Sequence, residues 1–231
     1  MADASLTWLG HGSFRVDTPS GKRIYLDPWL DNPKCPDSEK DVERCDAIAL
    51  THGHGDHVAS VVEISQKHGP LPIVAMNELK GWLSEQGAQT DDVPGGNKGG
   101  TIEAAGSKFT FVNAFHSGST PDGSYGGEAA GIVMELDGGS TIYFAGDTCV
   151  FGDMQLIGRI YSPDLAVLPI GGHFTMDPRE AAVACELLGT TRVLPCHYGT
   201  FPLLAGTPDE LKQLAGGVEV LAIEPGESVT L

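Results

Sequence analysis

THGHGDHVAS, residues 51–60, sets three histidines and an aspartate into the six positions from His52 to His57, with only glycine between them. The apolar run AIAL before it reads as a strand. Helical spacing of Val58, Val61 and Val62 begins behind it, so the histidines occupy the connecting loop. Gly53 and Gly55 let that loop turn tightly and approach a bound object closely. His52 and His54, two apart, project to one side of an extended stretch, whereas Asp56 and His57 enter with the first helical turn. Such an arrangement can serve two metal ions at once.

Short runs rich in β-branched and aromatic residues recur on both sides of this loop: SLTWL, SFRV, RIYL, PIVAM, KFTFVNAF, AGIVMEL, TIYFAG, DLAVLPI, RVLPC and VEVLAI. Helical spacing appears at Leu79, Trp82 and Leu83, at Met154, Leu156 and Ile157, at Ala181, Ala184, Cys185 and Leu188, and at Leu211 and Leu214. Asp177 before Pro178 and Thr207 before Pro208 mark the starts of the last two helices. The first half thus runs through three strands into strand-helix-strand-helix, and the second half opens on strands and ends in the same alternation. An α/β domain over residues 1–231, with two packed sheets and helices outside, fits this order. VPGGNKGG (93–100) and HSGSTPDGSYGGE (116–128) read as surface loops, the second placed as a mobile lip.

Further metal-ligating side chains follow other strands: His116 after KFTFVNAF, Asp147 after TIYFAG and His197 after RVLPC. Downstream strand ends can gather at one edge of stacked sheets, where loops on a rigid scaffold build sites. Imidazole and carboxylate suit zinc, manganese and iron(II). Sorted by geometry, His52, His54 and His116 serve one ion, and Asp56, His57 and His197 the other. Asp147, with two carboxylate oxygens, is the natural bridge, leaving room for a shared hydroxide. His68, in the polar stretch SQKHGP, is assigned to an ordinary loop.

The formal net charge of -17, from 31 acidic and 14 basic side chains, opposes a long polyanion, so nucleic acid is not the expected partner. No apolar run approaches the roughly 20 residues that span a bilayer, and the start carries no secretory pattern, so the expectation is a cytoplasmic protein without a membrane partner. The five cysteines form no CxxC pair and read mostly as small buried apolar residues, with Cys149 a packed thiol.

HGHGDH, the isolated His116, AGDT with Asp147 and CHYGT with His197 together resemble the metallo-β-lactamase superfamily. That resemblance implies a four-layer αββα sandwich with a dinuclear site at one edge. WLGHGSF, IYLDPWLDNP, FAGDTCVFGDM, GGHFTMDPREAA and PCHYGTFPLL narrow it to small metal-dependent hydrolases similar to ascorbate-6-phosphate lactonase. In that group His11 and His173 lie near the site, so each can hold substrate or support a ligand. Asp27 can orient a ligand imidazole. Relatives that act on RNA carry extra clamps, glyoxalase-II-like thioesterases add a helical C-terminal domain, and flavodiiron relatives place glutamate where this chain has His54.

The chemistry so implied is hydrolysis of a small lactone, ester or phosphoester by a hydroxide between two divalent ions, most simply Zn2+, with Mn2+ or Fe2+ as alternatives. Asp56 can steer the nucleophile's proton. A small anionic group on the substrate can be neutralised by the ions themselves. A mono-iron or di-iron oxidoreductase on the same scaffold and a non-catalytic metal-binding protein are the competing readings, and a homo-oligomer is compatible with all three.

Overall fold

The computed structural model describes residues 3–231. Its first sheet combines β1 (Ser5–Trp8), β2 (Phe14–Asp17), β3 (Arg23–Leu26), β4 (Ala47–Ala49), β5 (Ile73–Val74) and β13 (Ser228–Thr230) in the order β13-β1-β2-β3-β4-β5. The second combines β6 (Thr101–Ala104), β7 (Ser107–Asn113), β8 (Ala130–Glu135), β9 (Thr141–Phe144), β10 (Leu165–Pro169), β11 (Arg192–Cys196) and β12 (Glu219–Val220) in the order β12-β11-β10-β9-β8-β7-β6. Helices α1 (Asp37–Lys40), α2 (Gly55–Val58), α3 (Val61–His68) and α4 (Asn77–Glu85) accompany the first sheet in sequence. Helices α5 (Met154–Tyr161), α6 (Pro178–Leu188) and α7 (Pro208–Leu214) accompany the second. This is the expected α/β sandwich. No described helix is long and apolar enough to cross a membrane.

Two-residue periodicity explains the layers. In β10, Leu165 and Val167 face the core between the sheets, while Ala166 and Leu168 face outward. β9 alternates in the same way, with Ile142 and Phe144 inward and Tyr143 outward. The outward set packs on Met154, Ile157, Ala181, Ala184, Leu188 and Leu211 of α5 to α7. On the first sheet, Val61 and Ile64 of α3 and Leu79 and Leu83 of α4 join the inter-sheet cluster. Strands buried on both faces read as continuous apolar runs, as these do.

Strand direction then places the loops. β1 is antiparallel to β2, β2 to β3, and β3 is parallel to β4, so the downstream ends of β1, β3 and β4 share one edge. β7 is antiparallel to β8 and β8 to β9, and β9, β10 and β11 are parallel, so β7, β9 and β11 also end together. Those six ends carry His11, Asp27, the HGHGDH loop, His116, Asp147 and His197.

Two elements escape the periodicity. β6 is an edge strand with only Ala104 buried, and α1 buries no residue, so neither has an apolar face to read. The two helix starts with proline at the first position hold. Asp177 accepts from the backbone N–H of Arg179 and Glu180, and Thr207 forms a capping box with Glu210. Asp177→Ala should therefore lower stability by about 1 kcal/mol, measured as a shifted urea midpoint at unchanged slope. An unshifted midpoint would mean that water replaces the cap without loss.

Candidate metal centre

Asp147 lies at the middle of the assembled edge. The residue is 4 % exposed, and Oδ2 stands 3.2 Å from His197 Nε2, 3.5 Å from His57 Nε2, 3.6 Å from His116 Nε2 and 3.9 Å from His52 Nε2. Two donor groups lie around it. His52, His54 and His116 form one, and Asp56, His57 and His197, joined by His11, form the other, with the donor atoms of each within 4.8 Å of one another. The structure thus brings all seven residues expected as ligands to one edge, and Asp27, His52 and His57 form a further close set that links the two groups.

The ring nitrogens are oriented from behind. Asp27 accepts from the Thr51 backbone N–H at 2.8 Å, from Thr51 Oγ1 at 2.6 Å and from His57 Nδ1 at 2.9 Å. The Thr51 hydroxyl has given its one proton to Asp27, so in its 3.0 Å contact with His52 Nδ1 it accepts. A single carboxylate therefore fixes two imidazoles with Nε2 turned toward the centre. His54 pairs through Nε2 with Ser117 Oγ at 3.2 Å, leaving Nδ1 3.1 Å from His52 Nε2. Two nitrogens bound to one zinc at about 2.0–2.1 Å lie about 3 Å apart, so this spacing fits a shared ion.

Unpaired nitrogen makes the same point. His57 Nε2 and both ring nitrogens of His197 are buried with no hydrogen-bond partner. Burying such groups is costly unless something satisfies them, and a cation near Asp147 would satisfy the converging Nε2 atoms of His57 and His197. The residues present fit the divalent ions that the sequence implies.

Electrostatics follow from the same crowding. Burial alone would raise Asp147, but His197 and His57 hold its carboxyl well below the usual range. Burial would lower His197, yet Asp147 and Asp56 raise it to about 9. His57, also buried, is held well above its ordinary value by Asp147 and Asp27. Burial lowers His52 well below its ordinary value, with the neighbouring His57 adding to the effect, and burial also lowers His54 and His116.

His11 is fully buried. It donates from Nε2 to Asp56 Oδ2 at 2.9 Å, and Thr200 Oγ1 lies 2.9 Å from its Nδ1. Burial pushes the imidazole down to about 4, against the opposing Asp56 bond. The neutral ring that donates from Nε2 accepts the Thr200 hydroxyl proton at Nδ1. His11, Asp27 and His197 all adopt left-handed backbone conformations, with φ of 52°, 46° and 53°. Such conformations in residues other than glycine are strained and gather at functional sites.

His173 stands apart. It is exposed and lines a neighbouring cavity, while the next residue, Phe174, lines the cavity of about 360 Å³ that contains His54, Asp56, His116, Asp147 and His197. The structure thus places His173 beside the donor cavity, where the GGHFTM turn presents Phe174. Cys149 is exposed rather than packed, and the other four cysteines are buried without disulfides. The loop after His116 is fastened rather than free. Gly126 N–H donates to Gly118 O, and Asp122 accepts from Thr120, Ser124 and Trp82. His68 pairs with the Val42 carbonyl far from the centre. Thr51, Ser117 and Thr200 had no assigned role in the sequence, and their only signal was adjacency to the motif histidines.

Comparison with known proteins agrees with this geometry. Residues 22–198 match the family described as β-lactamase superfamily domain. The chain is 46 % identical over 227 residues to a UPF0173 metal-dependent hydrolase of Koribacter versatilis, covering 96 % of each chain. It is 46 % identical over 239 residues to another from Herpetosiphon aurantiacus, covering 100 % of this chain and 99 % of that one. Among solved structures, Igni18, a metallo hydrolase of the archaeon Ignicoccus hospitalis, superposes with a TM-score of 0.87 at 36 % identity, over 100 % of this chain and 99 % of that one.

Asp27→Ala removes the acceptor that orients His52 and His57 and should weaken metal binding roughly 10- to 100-fold in chelator competition, with the fold retained by circular dichroism. Unchanged affinity would dismiss the orienting role. The raised His57 and His197 carry protons at neutral pH in the metal-free protein, and a metal must displace them. Apparent affinity should therefore rise with pH up to about 9 for His197, by roughly tenfold per unit for each proton released. The metal-free fold should respond in the opposite sense. The stabilisation from raising His197 is complete below 6.5 and lost as pH climbs through about 9, visible in thermal melts of chelated protein.

Proposed function

The chain belongs to the β-lactamase superfamily and is a metal-dependent hydrolase, and from that premise we propose that it cleaves a small lactone, ester or phosphoester with two divalent ions held on either side of Asp147. The observation that carries this reading is the position of Asp147 Oδ2 between the two donor groups, 3.6 Å from His116 on one side and 3.2 Å from His197 on the other. Bound divalent ions supply Lewis acidity and lower the pKa of water from about 15.7 toward ~7.

The chain's own residues provide position. His52, His54 and His116 hold one side of the centre, and His57, His197 and Asp56 the other. Asp56, one-third exposed to the cavity, is ionised and oriented by the His11 N–H, so it can accept a hydrogen bond from an attacking water and align it. Thr200 fixes the His11 ring in turn. The Asp147 carboxylate places negative charge where two cations would otherwise repel each other.

Metal analysis of protein purified without chelator should give two divalent ions per chain. His52→Ala and His197→Ala should each weaken a different ion, whereas Asp147→Ala should weaken both. Full metal content in the Asp147 variant would refute the bridging role. Chelation should abolish turnover on a panel of lactones, carboxyl esters, thioesters and phosphodiesters while leaving the chain folded, because the core does not depend on the centre. Structured RNA and single-stranded DNA should be poor substrates at the same metal loading. Efficient cleavage of either, falling steeply with salt, would overturn the small-molecule reading.

A further inference from the structure

Phe174 is 55 % exposed, although it lines the cavity that holds the candidate ligands. Its ring meets the His173 ring edge-on at 4.5 Å. His173 lines a second cavity of about 420 Å³ with Gly171, Gly172, Pro178 and Leu203, and Leu203 is 57 % exposed. His173 and Phe174, in ring contact, thus line two neighbouring cavities, one carrying metal donors and the other none of them.

Lysine and arginine are missing from the linings of both cavities, while Asp56, Asp147, Asp177 and Glu210 are present. Asp177 and Glu210 already cap α6 and α7, so neither is free to receive a cationic group without competing with a helix start. A carboxylate or phosphate reaching past the metals would meet Asp177 and Glu210, and the nearby guanidinium, Arg179, already pairs with Asp177 at 3.0 Å. An apolar group would instead cover Phe174 and Leu203, whose exposure is unfavourable by roughly 25 cal/mol per Å². Exposed apolar surface continuous with a reactive cavity marks a recognition site.

Resting on the hydrolytic reading above, we propose that the substrate is elongated and carries a neutral alkyl or aryl arm. The reacting group lies over Asp147, and the arm crosses Phe174 into the cavity floored by Leu203. The small anionic group expected from net charge is thereby replaced, beyond the reacting bond itself, by an apolar one. Phe174 and Leu203 determine specificity, and His173 borders the arm without touching the reacting atoms.

The test uses metal-loaded protein and two parallel series. Linear alkyl hydroxamates from two to eight carbons, which bind through the metal-chelating head, report recognition by calorimetry without turnover. γ-Lactones with side chains of matching length report catalysis. Hydroxamate affinity should rise roughly two- to fourfold per methylene until the second cavity is filled, the upper value corresponding to complete burial. A terminal carboxylate on the longest member should cancel that gain. Phe174→Ser and Leu203→Ser, both at exposed positions, should flatten the chain-length slope at unchanged metal content. Lactone kcat/KM should follow the same slope, carried by KM. A flat series, or a preference for the carboxylate-tipped probe, overturns the apolar arm. Chain-length-dependent hydroxamate binding without hydrolysis of any panel member would instead overturn the hydrolytic reading while apolar recognition stands.

Discussion

Burial of the Asp147 carboxylate among imidazoles is the constraint on which the rest of this edge depends. An isolated carboxylate taken from water loses several kcal/mol of solvation, more than packing returns. Here four imidazoles lie within 3.9 Å of one oxygen, and two of them, His57 and His197, are raised and so carry the compensating charge when no metal is bound. The centre is therefore built to hold positive charge around that carboxylate. Protons and metal ions compete for it, and metal wins more completely as pH rises. The same packing leaves His57 Nε2 unbonded, a penalty the fold tolerates because the surrounding strands fix both rings.

Holding those rings in place requires backbone where side chains cannot fit. A Cβ on Gly12 would stand 2.9 Å from His57 Cε1, so the turn after β1 can press on the imidazole only as glycine. Gly146, with φ of 62°, would meet the Thr51 side chain at 2.8 Å. Its smallness lets the β9 loop deliver Asp147 against the Thr51–Asp27 contact. His197 N–H donates to the His11 carbonyl at 3.0 Å, joining two left-handed residues from different sheets. The strain is local, and it is met by the β1, β4, β9 and β11 packing beneath it.

The donor set was legible because ligand chemistry is written in residue type and strand position. His52, His54, His116, Asp147 and His197 each leave a strand end, and strand ends follow from apolar periodicity. What sequence alone could not supply was direction within a turn. GGHFTM offers a histidine and a phenylalanine in succession, and only the backbone path decides that Phe174 enters the reactive cavity. The glycines of 116–128 look like freedom in one dimension. In three they allow Gly118 and Gly126 to approach backbone to backbone, with a Cβ on Gly118 only 2.0 Å from Gly127 O. β6 and α1 stayed invisible for another reason: they lie on the surface and bury almost nothing, so no apolar pattern marks them.

Charge at two length scales reconciles an acidic protein with an electrophilic centre. The net charge of -17 governs what approaches from a distance and turns away extended polyanions. Within a few ångströms the raised His57 and His197 offset the Asp56 and Asp147 carboxylates, and divalent ions would tip the balance to positive. Between these scales lies the cavity wall, where Phe174 and Ser117 offer no fixed charge at all. On the proposed reading, a substrate would meet repulsion if broadly anionic, neutral apolar contact at the wall, and strong polarisation only at the bond placed over Asp147. That ordering confines the chemistry to one end of a ligand and leaves recognition to the other.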